Sequence, residues 1–391
     1  MTLTHSRWRP VFLCLLAGLA LSPAGPGAAA RAHAAVMTDG ADVQGGHTDG
    51  GDQGNAHQGD SWRPRLMDDG DYTEYWEQQF LFDGGSLVTG QFLITNLPLS
   101  KHHGLMIATL KPPGGAAIVI KNGRQRSGWR FDGGLPGLTV FQHRISGRHP
   151  DYLMRLHNTA AELDVSYTAG GRGLAVTRPG DGHDLPEVTL YAPTAAASAR
   201  WRPGPEIGGA GPDGAWQDLG GGAGYGLHVV QKHSLNHTLR RWRRVTSVAR
   251  TADHRPVLHD FITPDGDRHT VLLMLPPRGP ALTFRSVEVL EDETSGSRYI
   301  TARAGDMTVK GTITLTGTLE DFILKDLLNG VEKALAGPLA DIVRHRHKAT
   351  YSLTLAADGL DIHVGGTALA EDIVIGSGRA AGRRGKRRVR R

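Results

Sequence analysis

Tyr72-Thr-Glu-Tyr-Trp-Glu-Gln-Gln-Phe-Leu-Phe82 is rich in aromatic residues, three of which fall in step with a period of two. Trp76, Phe80 and Phe82 share one side of an extended chain, the period of a strand with one face against a core. Asp83-Gly84-Gly85 follows, with glycines that tolerate positive φ, and Leu87 to Ile94 resumes with Val88, Gly90, Phe92 and Ile94 on one face. The two segments read as a hairpin. After Asn96-Leu97-Pro98, Leu105 to Leu110 is apolar on both faces, which makes a three-strand meander in need of a partner surface.

Working outward, further strand-like segments lie at Ala116 to Lys121, Leu138 to Ile145, Tyr152 to Leu156, Leu163 to Thr168 and Val188 to Tyr191. Asn122-Gly123, Asp132-Gly133 and Ser146-Gly147 separate several of them, and no helical period intervenes, so the class is an all-β sandwich or barrel rather than an α/β sheet. This first domain spans 66–201. Residues 202–224 are rich in Pro and Gly without periodicity and read as a linker or a barrel-mouth loop. A second strand series fills 225–372, with a hairpin at Pro264-Asp265-Gly266 and closing strands turned at Asp358-Gly359. One amphipathic helix is predicted over 319–336: Thr318 and Asp321 resemble a capping box, and Leu324, Leu327, Leu328, Val331 and Leu335 form one stripe.

The first 35 residues have the pattern of a secretory signal peptide. Arg7 and Arg9 precede an apolar stretch from Val11 to Leu21, and Ala32-His33-Ala34 is a small-x-small cleavage site. The apolar stretch falls short of the ~20 residues of a spanning helix. Export, periplasmic or secreted, is the expectation. Cys14 is the only cysteine and lies inside that stretch, so a processed chain has no disulfide, thiolate metal site or cysteine nucleophile. Residues 36–61 are polar and Gly-rich with His47 and His57, and read as a disordered spacer. The net charge of +5 is misleading, since the 376–391 tail carries eight basic residues from Arg379 to Arg391 and no acidic one, and the body is mildly acidic without it. Such a tail, Arg387 and Arg388 included, reads as disordered and able to contact an anionic membrane surface.

Three places resemble one family, the lipocalin-like (calycin) double barrels that include AttH-type proteins, carotenoid hydratases and survival-factor proteins. Glu74-Tyr75-Trp76 with the Asp-Gly turn and Gly90-Gln91-Phe92 resembles the family's opening hairpin. His228 to Trp242, containing Asn236-His237, is similar to the segment that in the hydratases carries an Asp-His pair, and Val257 to Gly266 looks like the hairpin that follows it. The resemblance implies two tandem antiparallel barrels and a hydrophobic ligand such as a lipid or isoprenoid. It also marks a departure, because hydration of a double bond needs an acid and Asn236 stands at the acidic position. Asp260 or Glu77 would have to replace it.

The candidate catalytic residues are therefore Asp260, His259 and His237, with His228 and His233 as possible neighbours in one cavity. A strand alternating polar and apolar residues would equally show them to solvent. Trp76, Phe80, Phe92, Trp242 and Asn236 are the candidate ligand wall. Arg240-Arg241-Trp242-Arg243-Arg244 reads either as an anionic-surface contact or as a solvated strand. His345-Arg346-His347 reads as a cationic patch rather than a metal site, and no phosphate loop, Gly-x-Ser-x-Gly elbow or His-Glu-x-x-His occurs. The sequence thus leads to an exported, non-enzymatic carrier of a hydrophobic molecule, without metal, cofactor or specific nucleic acid. The competing reading is an enzyme on a terpenoid-like substrate that uses acid-base residues of the second barrel.

Overall fold

The aromatic stretch forms β1 (Thr73–Phe82) and sits inside the first of two antiparallel sheets. The computed structural model describes residues 62–376 except 98–99, 125–127, 135, 179–183, 210–212, 251–253, 293, 328–340 and 358. All of them belong to one unit, Gln53–Arg391. The signal segment 1–35, the spacer 36–61 and the basic tail from 377 onward lie outside the described residues.

β2 (Leu87–Leu97) pairs Trp76 with Phe92 and Phe80 with Val88, and β3 (Ser100–Lys111) completes the meander. β4 (Ile118–Arg124) lies beyond β3. On its other side β1 pairs with β12 (Gln217–Gln231), followed by β11 (Glu187–Pro203), β9 (Ala161–Ala169), β8 (Asp151–His157), β7 (His143–Arg148), β6 (Gly137–Val140) and β5 (Trp129–Asp132). β10 (Leu174–Thr177) pairs beside β11. Trp129 returns to β3, where its Nε1 donates to the His102 carbonyl at 2.7 Å and its ring occupies the space that a side chain on Gly104 would take. The sheet curls until its ends nearly meet.

Residues 202–203 and 217–224 correct the predicted linker at both its ends. Arg202 and Pro203 end β11, and 217–224 are the first half of β12, paired to both β1 and β11. The glycines there leave room for rings. A Cβ on Gly222 would meet the Phe82 ring at 2.7 Å, one on Gly224 the Phe80 ring at 2.6 Å, and one on Gly226 the Tyr191 ring at 2.3 Å. Glycine weakens a strand unless something packs where its side chain would be, and that something comes from β1 and β11.

The chain changes sheets through a short helix, α1 (Leu235–Thr238). The second sheet contains β13 (Arg241–Ser247), β14 (Arg255–Ile262), β15 (Arg268–Leu275), β16 (Leu282–Phe284), β17 (Ser286–Asp292), β18 (Ser297–Ala304), β19 (Met307–Ile323), β20 (Ile342–Ala357) and β21 (Leu360–Ile375). Their order is β16-β15-β14-β13-β21-β20-β19-β18-β17. Arg268 Nη1 donates to the Val289 carbonyl at 2.8 Å and brings β15 against β17, so this sheet also curls towards closure. The predicted helix over 319–336 is corrected at its start. Thr318 to Ile323 extend β19, pairing from Thr318 with His347 to Ile323 with Val343, and Leu324–Leu327 make one 3-10 turn. Arg346 explains the choice, because it binds Glu320 and lies 5.4 Å over the Phe322 ring, contacts that exist only if this segment is extended. The rest of that helix, 328–336, lies outside the described residues.

Strand alternation sorts the core into three layers. Trp76, Phe80, Phe82, Phe92 and the β8 and β9 tyrosines fill the first barrel. Val245, Leu258, Ile300, Tyr351 and Leu353 fill the second. Between them lie Tyr75, Tyr225, Leu227, Trp242, Phe261 and Ile373 from the outer faces of both sheets.

Inside that middle layer is a charge-balanced network. Arg244 binds Glu77 at 2.5 Å and also Glu371, while Arg344 binds Glu77 at 2.9 Å. Arg346 binds Glu371 at 2.9 Å and Glu320, which accepts from Thr109 of β3 at 3.2 Å. Gln79 and Gln91 donate to Glu77. Burial would raise the Glu77 pKa, but Arg244, Arg344 and Arg346 outweigh it and hold the carboxyl well below the usual range. Three guanidiniums thus meet three carboxylates, and the network ties the two sheets together.

Candidate functional site

The inward face of β1 reads Glu74, Trp76, Gln78, Phe80, Phe82, so two polar side chains interrupt an apolar run. Gln78 is fully buried, and its Nε2 donates to the Tyr191 hydroxyl at 2.8 Å. The Tyr191 and Tyr167 hydroxyls are 3.0 Å apart, Tyr152 stacks on Tyr167 at 5.3 Å, and Phe80 lies 4.9 Å from Tyr167. Trp62 covers this group, 4.9 Å from Tyr191 and 5.8 Å edge-on to Tyr152, held by a 2.9 Å hydrogen bond from Nε1 to the Gly147 carbonyl. Burial pushes the Tyr152 phenol up to about 12 and those of Tyr167 and Tyr191 well above the usual value, so all three remain hydrogen-bond donors. The Gln78 Oε1 has no hydrogen-bond partner among the described residues. Opposite it in register is Gly90, which leaves room for the Met154 sulfur. An open groove lined by Asp151, Tyr152, Tyr167, Thr168 and Ala197 runs over the strands that carry two of these tyrosines.

The second polar position on this face makes an acid-base pair. Glu74 Oε1 lies 2.6 Å from His228 Nε2, and the other oxygen accepts from the Tyr72 hydroxyl and from the Arg65 amide at 2.8 Å. His228 stacks flat on Trp76, its register partner, at 4.7 Å and 6°. Burial and the Glu74 charge raise the Tyr72 phenol far above its ordinary value. Glu74 is wholly buried and His228 partly exposed, so the pair stands at a barrel mouth.

The residues proposed from sequence are not brought together. Trp76, Phe80 and Phe92 do share the first-barrel interior, whereas Trp242 lies between the sheets, 5.1 Å from Phe261 and with Arg244 5.0 Å above its ring. Asn236 is in α1 with its Oδ1 buried and unpartnered among the described residues. His259 and Asp260 are adjacent in β14 and therefore point to opposite faces. His259 is buried beside Trp242, where burial and then Arg244 depress its pKa to about 3. Asp260 faces the second barrel, both oxygens bound by Arg268 at 2.6 and 2.7 Å and one by Thr270 at 2.9 Å. His237 is 64% exposed near Asp71, and His233 is exposed near Asp184. The single cavity expected for these residues is therefore a correction: strand parity and the change of sheet separate them.

The arginine run is corrected in the same way. Arg240 is exposed and Arg241 half-buried against Asp372, but Arg243 and Arg244 are buried in ion pairs and cannot meet a surface. Arg387 and Arg388 lie outside the described residues. Sequence reading missed Gln78, Tyr152, Tyr167, Tyr191 and the Glu74–His228 pair. Parity held the signal for two of them, since Glu74 and Gln78 alternate with Trp76 and Phe80 on the face that must be inward.

No family model matches the sequence, and no curated protein matches it. Solved structures do. An AttH-like protein of Nitrosomonas europaea is similar at 12% identity, over 77% of this chain and 91% of that one, with a TM-score of 0.50. CghA is similar at 9% identity, over 83% and 98% of the two chains with a TM-score of 0.55, and so is CghA with Sch210972, over 78% and 89% at 0.54. At such identities the likeness is one of fold. The two curled sheets and these structural relatives together place the chain in the fold of the lipocalin-like tandem-barrel proteins.

Proposed function

We propose that this protein binds a small apolar molecule bearing a hydroxyl group inside its first barrel, and does so as an exported carrier. The observation that carries this reading is the Gln78 Oε1, a buried acceptor without a partner among the described residues, set within the rings of Phe80, Tyr152, Tyr167 and Tyr191. Leaving a buried acceptor unmet costs about 1–3 kcal/mol, and a ligand hydroxyl would recover it. Trp62 is the group such a ligand displaces, since one hydrogen bond fastens its side chain over the rings. That CghA has been seen with Sch210972 supports a small-molecule site in this fold. Lipid and isoprenoid alcohols have the required chemistry. Export is proposed from residues 1–35 and anionic-membrane contact from the tail, which N-terminal sequencing of the mature protein and vesicle binding of a tail deletion would check.

The test is mass spectrometry of an organic extract from natively purified full chain. A stoichiometric apolar alcohol is expected. An empty extract, together with no uptake of such alcohols by the protein, would refute the reading.

The Glu74–His228 pair favours a second reading, an enzyme on the same apolar substrate with its acid-base group at the first barrel rather than the second. Incubation with the extracted ligand separates the two: a carrier returns it unchanged, whereas an enzyme converts it and loses turnover in His228→Gln.

A further inference from the structure

One end of the second barrel's interior is ionic, and its charges do not balance. Arg268 is paired with Asp260, and Arg241 with Asp372. Arg243 bridges Asp260 at 3.5 Å and Glu291. That leaves Arg298 on β18, 2% exposed, whose Nε is 3.5 Å from a Glu291 already held by Arg243. The Nε and Nη1 of Arg298 and the Nε of Arg243 have no hydrogen-bond partner among the described residues. Four guanidiniums thus stand against three carboxylates.

A guanidinium does not deprotonate in a protein, so it remains charged where it is buried, and an unpaired buried charge is unfavourable. Burial and then the neighbouring Arg243 lower the Arg298 pKa, and the opposing charges of Glu291 and Asp372 do not make up the difference. His347 faces the same group, and burial with Arg298 lowers its pKa as well, while His345 pairs with Asp321 nearby. The end is reachable from solvent, since the Arg241 side chain is 34% exposed.

We propose that this end of the second barrel binds one carboxylate-bearing small molecule, its oxygens taken by Arg298 and by the Nε of Arg243. The two oxygens of a carboxylate can each accept from one of two neighbouring guanidiniums, and such charge-assisted hydrogen bonds are stronger than neutral ones. The site is separate from the first-barrel site and does not depend on it.

Calorimetric titration of the full chain with octanoate, acetate and inorganic phosphate tests the assignment. Octanoate is expected to bind at one site, acetate to compete with it, and Arg298→Met to weaken octanoate at least tenfold. The ligand-free Arg298→Met protein should melt at the wild-type temperature or above, because the substitution removes the buried cation that has only a share of Glu291. Arg298→Lys, which keeps the charge but loses the directed guanidinium N–H groups, should weaken octanoate by a similar factor. Saturable phosphate binding without carboxylate binding overturns the ligand class. No saturable binding, or equal affinity in wild type and Arg298→Met, overturns the site. A lower melting temperature of Arg298→Met would assign the residue to a structural pair with Glu291 instead.

Discussion

Glu77→Gln removes one carboxylate from the neutral network between the sheets and is expected to cost more than any surface charge. Glu77 is fully buried, and both its oxygens are engaged by Arg244 and Arg344. The substitution leaves three guanidiniums against Glu320 and Glu371, with Arg344 retaining only a 3.7 Å contact to Glu371. Removing one partner of a buried ion pair costs about 3–5 kcal/mol. At about 2 °C per kcal/mol for a chain of this size, the melting temperature should fall by about 6–10 °C. Thermal and urea unfolding measure this, and the Glu77→Gln/Arg344→Gln double variant, which restores neutrality, should recover part of the loss. The sign with pH also follows. Because the folded pKa of Glu77 lies below its ordinary 4.5, its stabilisation is present above pH 4.5 and fades as pH falls through the folded value. The difference between wild type and variant should therefore shrink in acid. A loss under about 1 kcal/mol at neutral pH would refute the network as the tie between the sheets.

His259→Phe should flatten the acid limb of stability: the histidine's folded pKa near 3 lies below the ordinary 6.5, so the unfolded state takes up the proton as pH drops between those values, at up to about 1.4 kcal/mol per unit. An unchanged slope would contradict the buried placement. At the other extreme, burial raises the Tyr75 and Tyr225 phenols to about 12, so stability present below pH 10 is lost between 10 and 12, and phenylalanine at either position should reduce that loss in alkaline unfolding. Gly226→Val is expected to destabilise by more than about 3 kcal/mol, because its side chain would enter the Tyr191 ring; wild-type stability would argue against β12 as a strand of the first barrel. Asp260→Asn should impair folding, since it strips Arg268 of its carboxylate and leaves Arg243 only Glu291, whereas an intact fold with lost turnover would restore Asp260 as a catalytic residue.

The fold was legible where side-chain period and turn chemistry act locally. Trp76, Phe80 and Phe82 announced β1, Asp83-Gly84-Gly85 its hairpin, and the repeated short strands two β-barrels. Where the reason for a residue lies across the sheet, the sequence misled. Gly222 and Gly224 look like a loop until the rings of Phe82 and Phe80 are seen to fill their places. Thr318 and Asp321 look like a helix cap until Arg346 draws Glu320 into a strand. The site suffered for the same reason. His259 and Asp260 look like a pair in sequence, yet adjacent strand residues face opposite layers, while Glu74 and His228, 154 positions apart, meet because β1 and β12 are neighbours.

In the proposed site Gln78 and the surrounding rings hold an apolar alcohol. The most direct test compares organic extracts of wild type and Gln78→Leu after native purification, normalised to folded protein. Gln78→Leu keeps the interior apolar and removes only the unpartnered acceptor and its bond to Tyr191. A stoichiometric hydroxyl-bearing species is expected in wild type and a clearly sub-stoichiometric amount in the variant, whose dissociation constant for that species should rise about tenfold or more, in line with about 1.4 kcal/mol or more from one buried hydrogen bond. The same species at the same occupancy in both proteins would contradict the assignment.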